Sequence, residues 1–147
     1  MRRSFTAVTL GLLVVVTAGC SAATTAATAP GSNTSVTAPA PASVRQVDPA
    51  AFATEIDGGR FAINVHIPDE GSLHGTDLTL PYNEIQQRAA ELPPDHDTPL
   101  AIYCMTGHMS AIAGQTLTGL GYSDIVELDG GMEAWQVMGQ PFIPAGG

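Results

Sequence analysis

From Val44 to the end of the chain, short apolar runs rich in β-branched residues alternate with amphipathic or polar stretches. Val44–Val47 reads as a strand, and Asp48-Pro49 marks a helix start, a capping side chain followed by proline in the first turn. A helix over Ala50–Ile56 follows, closed by the turn Asp57-Gly58-Gly59. Phe61–Ile67 predicts a buried strand. A loop with Pro68, Gly71 and Gly75 leads to a short strand at Leu78–Leu80, and after Pro81 the pattern predicts a helix over Asn83–Leu92, ended by Pro93-Pro94. Leu100–Tyr103 is the next strand, followed by a short loop and a helix over Ala111–Gly121. Ile125–Leu128 is the last strand, and Gly130-Gly131 precede a short helix over Met132–Met138. Short apolar strands alternating with helices predict a parallel or mostly parallel sheet covered on both faces. In such sheets ligands sit beyond the carboxyl ends of the strands.

The first 43 residues follow a different logic. Met1-Arg2-Arg3 is a basic start, Phe5–Val16 an apolar run, and Thr17-Ala18-Gly19-Cys20 a small-residue end. The apolar run is short for a membrane span and has signal-peptide proportions. Val16-Thr17-Ala18-Gly19-Cys20 resembles a bacterial lipoprotein signal over residues 1–19, in which Cys20 is lipidated and becomes the first mature residue. An ordinary secretory signal cleaved nearby, with Cys20 a free thiol, is the alternative. Between Ser21 and Ser43, 20 of 23 residues are Ala, Thr, Ser or Pro and none is charged. Such a stretch buries too little apolar surface to offset its ordering entropy, so residues 20–43 are expected to be a disordered tether. The expected domain is 44–147, long enough for one modest core.

Cys104 lies immediately after the Leu100–Tyr103 strand and shortly before a helix. A thiol there meets backbone N–H groups and the positive end of a helix dipole, both of which favour the reactive thiolate. The competing reading is an inert core cysteine, since free cysteine is among the most buried residue types. Cysteine phosphatases and arsenate reductases of the C-x5-R type are excluded, because the residue six positions on is Ser110.

Two segments carry a family resemblance. One is the strand, cysteine loop and helix of Ile102–Leu120, with Gly107 on the family's loop glycine. The other is Leu128-Asp129-Gly130-Gly131-Met132-Glu133-Ala134-Trp135, followed by Gly139-Gln140-Pro141. Together they resemble the single-domain rhodanese sulfurtransferases across nearly all of residues 44–147. The resemblance implies an α/β fold, a three-layer α/β/α arrangement around a mostly parallel sheet of about five strands. It also implies a catalytic Cys104 that takes the outer sulfur of a small donor such as thiosulfate as a persulfide and passes it to a thiol or cyanide. The substrate-binding loop would be Met105, Thr106, Gly107, His108, Met109 and Ser110, its amides cradling the anionic sulfur. The family's chemistry needs neither cofactor nor metal. His66, and His74 within His74-Gly75-Thr76-Asp77, are possible pocket residues, with capping by Asp77 as the alternative for that loop.

Two departures change the picture. Active family members often carry loop arginines, where this chain has Met105 and Met109, and commonly read Asp-Val-Arg where it has Asn64-Val65-His66. Beyond Cys20 there are three arginines, no lysine and 14 carboxylates, a net charge of −11 with histidine neutral. That field argues against nucleic acid and anionic lipid as partners. The missing loop arginines, more than this salt-screened field, make a less charged persulfide, or a partner protein, a better donor than thiosulfate. Three functions follow: a membrane-tethered sulfurtransferase or sulfur carrier on the outer face of a bacterial membrane; a rhodanese fold kept as a binding module with little turnover; or a copper- or redox-sensing thiol, since thiolate, thioether and imidazole suit copper. His96, between Asp95 and Asp97, reads as a solvated loop residue.

Overall fold

A computed structural model describes residues 43–146. The expected signal segment, Cys20 and all but the last residue of the tether lie outside them. Strand β1 (Ser43–Val47) leads into helix α1 (Pro49–Asp57), whose N-cap Asp48 accepts the Ala51 N–H at 2.9 Å. Then come β2 (Phe61–Asn64), β3 (Gly71–Leu73), β4 (Leu78–Thr79), a single 3₁₀ turn (Ala89–Glu91), β5 (Leu100–Tyr103), α2 (His108–Gly119), β6 (Asp124–Leu128), α3 (Gly131–Val137) and β7 (Phe142–Pro144). Five strands form one sheet in the order β1-β6-β5-β2-β4, every neighbouring pair parallel. β5 is its middle strand and is buried along its whole length, as a strand covered on both faces must be.

Each face of the sheet has its own core. On one side α2 packs Ala113 and Leu117 against Ile63, Ile102 and Ile125, joined by Ile85 and Leu92. On the other, Phe52 of α1 and Met132 and Trp135 of α3 pack against Ala62, Tyr103, Val126 and Leu128. Phe52 makes edge-on contacts with both Tyr103 and Trp135 at 6.2 Å between ring centroids. The architecture is the expected three-layer α/β/α.

The differences in detail have physical causes. The helix expected over Asn83–Leu92 is a run of turns ending in the 3₁₀ turn. Its two deeply buried apolar anchors, Ile85 and Leu92, do not make a continuous face, and proline bounds it on both sides. β2 stops at Asn64 rather than Ile67, because the buried Asn64 side chain donates to the Gly71 carbonyl at 2.9 Å and accepts the His66 N–H at 3.0 Å, drawing the chain out of the sheet. α2 starts at His108, three residues before the expected Ala111. The antiparallel pair β3–β7 was not foreseen, since a pairing between residues 71–73 and 142–144 leaves no local signal.

Candidate active site

Cys104 is the first residue beyond β5, at the carboxyl edge of the sheet's middle strand. Met105, Thr106 and Gly107 turn the chain into α2. Gly107 is the N-cap and adopts a left-handed φ of 98°, which glycine reaches without steric cost. The turn aims the Gly107 N–H at Cys104 Sγ, 3.1 Å away. In the first turn of α2, Ser110 sets its Oγ 3.4 Å from the same sulfur. Cys104 is 1% exposed and belongs to the α2-side core with Val65, Ile102 and Ala113. Its burial is what the core reading expects, and its place beyond the strand end, facing the Gly107 N–H, is what the reactive reading expects.

The loop is clamped from the far side by α3. The Cys104 carbonyl accepts the Met132 N–H at 2.9 Å and the Met105 carbonyl accepts the Glu133 N–H at 3.1 Å. Gly131 makes this approach possible: a Cβ there would lie 2.5 Å from the Cys104 carbonyl oxygen and closer still to that of Met105. The second glycine of the pair thus serves a backbone contact with the cysteine loop as well as a tight turn. Tyr103 ties down the strand end, its hydroxyl accepting the Leu73 N–H at 3.1 Å and lying 2.6 Å from Thr76 Oγ1. Burial pushes this phenol upward, so it stays protonated at neutral pH.

The remaining loop residues divide. Thr106 and His108 are exposed, while Met105 and Met109 are half-buried. Met105 packs on the α1–α3 core and Met109 on the α2 core, so the two thioethers point to opposite sides of the sheet. Among the described residues no group of three or more His, Cys, Asp or Glu is placed to hold a metal. His66 lies just beyond β2, adjacent to β5, and the Val65 N–H donates to the Tyr103 carbonyl at 2.9 Å. It therefore shares Cys104's end of the sheet. His66 is 7% exposed, its Nε2 is 2.7 Å from Glu70 Oε2, and its buried Nδ1 has no hydrogen-bond partner. His74 is elsewhere, lining a cavity of about 110 Å³ with Ile56, Asp57, Trp135 and Pro141 on the α1–α3 side. Asp77 Oδ2 accepts the Ala62 N–H of β2 at 2.8 Å. His96 is an exposed loop residue against Tyr122.

One residue escaped the sequence reading. Glu127 of β6 is 3% exposed, and its Oε1 lies 2.7 Å from Ser110 Oγ. A lone acid inside an apolar strand was the available signal, because carboxylates are almost never fully buried without a partner.

The rhodanese-like domain family matches residues 48–138. Thiosulfate sulfurtransferase GlpE of Pseudomonas savastanoi pv. phaseolicola is 38% identical over 80 residues, covering 54% of this chain and 66% of that protein. The GlpE protein of Pseudomonas syringae pv. syringae is 43% identical over 42 residues, 29% of this chain and 40% of that protein. The chain thus spans just under two thirds of the first relative's length and two fifths of the second's. Among solved structures, a rhodanese-related protein from Thermoplasma volcanium superposes with a TM-score of 0.59 at 27% identity, covering 67% of this chain and 97% of that one. With the parallel sheet, the cysteine loop beyond its middle strand and the glycine-docked helix behind that loop, these matches place the chain in the rhodanese-like domain family.

Proposed function

We propose that this chain is a membrane-tethered, extracytoplasmic sulfurtransferase or sulfur carrier that holds a persulfide on Cys104. The Cys104 thiolate attacks the outer sulfur of the donor. With thiosulfate, a Cys–S bond forms, the donor S–S bond breaks, and sulfite leaves with the electron pair. The terminal sulfur then passes to cyanide or a thiol, and the cysteine returns as thiolate. The observation that carries this reading is the Gly107 N–H, 3.1 Å from Sγ at the start of α2, a donor already aimed at an anionic sulfur. The similarity to GlpE thiosulfate sulfurtransferases supports it. The half-buried methionines at 105 and 109 favour a less charged sulfane donor over thiosulfate as the preferred one.

Intact and peptide mass measurement of the full chain after thiosulfate or polysulfide tests the reading. One added sulfur atom on the Cys104 peptide, absent from Cys104→Ser, is expected. The same methionines favour one alternative, a binding module with little turnover. No gain from any donor, together with a specific protein partner, would establish that alternative, whereas copper retained through desalting would point to the metal-binding thiol. The tether is tested by Cys20→Ala, which should abolish lipid attachment. If that variant stays with membranes through high-salt and carbonate washes, the lipoprotein reading is wrong.

A further inference from the structure

Glu127 is 3% exposed, Ser110 0% and Cys104 1%, and the three are joined in series: Glu127 Oε1 to Ser110 Oγ at 2.7 Å, and Ser110 Oγ to Cys104 Sγ at 3.4 Å. Apart from Ser110, the Glu127 carboxyl has one partner among the described residues, the amide of Gln46 at 3.4 Å. Among the described residues no cation pairs with it: Arg45 and Arg60 are engaged by Glu55 and Asp124, and Arg88 by Glu84 and Glu91. A buried carboxylate without a cation is costly, and an apolar side chain on β6 would be more stable. Its place at the end of a hydrogen-bond chain to the thiol gives it a use.

We propose that Glu127 is a positioning residue for Cys104, taking up the thiol proton through Ser110 and leaving Ser110 to donate to the anionic sulfur. The Ser110 hydroxyl has one proton and three neighbours, the Gly107 carbonyl at 3.0 Å, Glu127 and Cys104. While Glu127 is a carboxylate, it holds that proton, and a serine lone pair faces the Cys104 S–H. In the transfer, the Cys104 S–H bond breaks as an O–H bond forms at Ser110. At the same time the original Ser110 O–H bond breaks and one forms at Glu127 Oε1. The net charge is unchanged and no co-reactant is consumed. The protonated Glu127 then donates to Ser110, and Ser110 and the Gly107 N–H both donate to the sulfur. This inference rests on the reading of Cys104 as the reactive sulfur.

Two groups sharing a proton titrate as a pair, in macroscopic steps that belong to neither alone. Few other ionisable groups surround this pair. On α2 the nearest is His108, exposed; beyond β6 it is Asp129, also exposed; on β1, Gln46 is neutral, and β5 places Ile102 opposite Glu127. The test is the ultraviolet absorbance of the thiolate against pH, taken on the full chain as the difference from Cys104→Ser. Wild type should show two steps, the lower from the species with thiolate and protonated Glu127, the upper from loss of the second proton. Glu127→Gln, which can donate to Ser110 but cannot accept a proton, should lose the lower step. Ser110→Ala should lose it too, and decides the matter if Glu127→Gln does not fold. A single step in wild type, or two steps that survive both variants, would overturn the proposal. Absorbance reports ionisation whether or not sulfur is ever transferred, so a single step with full persulfide loading sinks the relay alone. Two steps without loading sink the transferase reading alone.

Discussion

The two ends of the sheet treat charge in opposite ways. At the amino end, Glu55 of α1 is gripped by Arg45 and Arg60, each at 2.6 Å, and Arg60 also reaches Asp124 at 2.8 Å. Those groups stand in or near water, and each carboxylate has a guanidinium. At the carboxyl end, Cys104, Ser110 and Glu127 are buried and joined by hydrogen bonds, and among the described residues no cation pairs with any of them. Paired charges at a wet edge add little and demand little. Unpaired ionisable groups in a dry site are costly, and clusters of that kind mark function rather than support. The arginine-paired carboxylates and the Cys104–Ser110–Glu127 chain are thus separated along the strand direction.

The sharpest break of this comparison is Cys104→Ala. All sulfur loading should disappear, while unfolding free energy falls by only about 1 kcal/mol, the worth of roughly one buried heavy atom. Residual loading at the wild-type level on a folded variant would move the reactive centre away from the carboxyl end. Phe52→Ala tests the layer that spans both ends. Its fully buried ring touches Tyr103 and Trp135, and removing it should cost about 3–5 kcal/mol by denaturant titration. Below the new transition, sulfur loading per folded molecule should match wild type, since the ring belongs to the core opposite Cys104. A large loss of loading at full folding would mean that the two faces are coupled through β5.

The carboxyl end can also be given the charge it lacks. Met105→Arg, Met109→Arg or both should lower the Michaelis constant for thiosulfate, by about 1–2 kcal/mol or roughly five- to thirtyfold. Side-chain entropy and lost packing of the half-buried thioethers keep the gain below the bare Coulomb value. No change in the constant for either variant would show that the pocket was not shaped for a small dianion, and the binding-module reading would then lead.

Much of this contrast was legible in the sequence. Leu100–Tyr103 is apolar throughout and could only be a doubly covered strand, so the position of Cys104 at its end followed. Asp48-Pro49 carried its own cap, visible as the bond to the Ala51 N–H. What stayed hidden depends on tertiary contact. Gly131 reads as a turn residue, and only the approach of α3 to the Cys104 and Met105 carbonyls shows why no side chain fits. The turns after Pro81 hold enough good helix formers to predict a helix, but anchoring through Ile85 and Leu92 overrode that propensity. Glu127 stands out as a lone acid in the apolar run Ile125–Leu128, but its partner is not visible there, because Ser110 reaches it only when α2 packs on the sheet.

The smallest effect belongs to the amino end, and it is the control. Hydrogen bonds from Arg45 and then Arg60 hold the Glu55 carboxyl below the usual carboxylate range. A carboxyl depressed in the folded state contributes stability above its unfolded value, near 4.3, and loses it as pH falls through the lower folded value. Glu55→Gln should therefore cost about 1 kcal/mol or less at pH 7, discounted for a pair that water reaches. The difference from wild type should shrink towards zero as pH falls through that lowered folded value, where the wild-type carboxyl also becomes neutral. Denaturant midpoints of both proteins at neutral and acid pH measure this, with Cys104 loading followed in parallel. A pH-independent difference would mean that Glu55 acts by packing rather than charge. A change in Cys104 loading would mean that the paired end and the unpaired end are not separate.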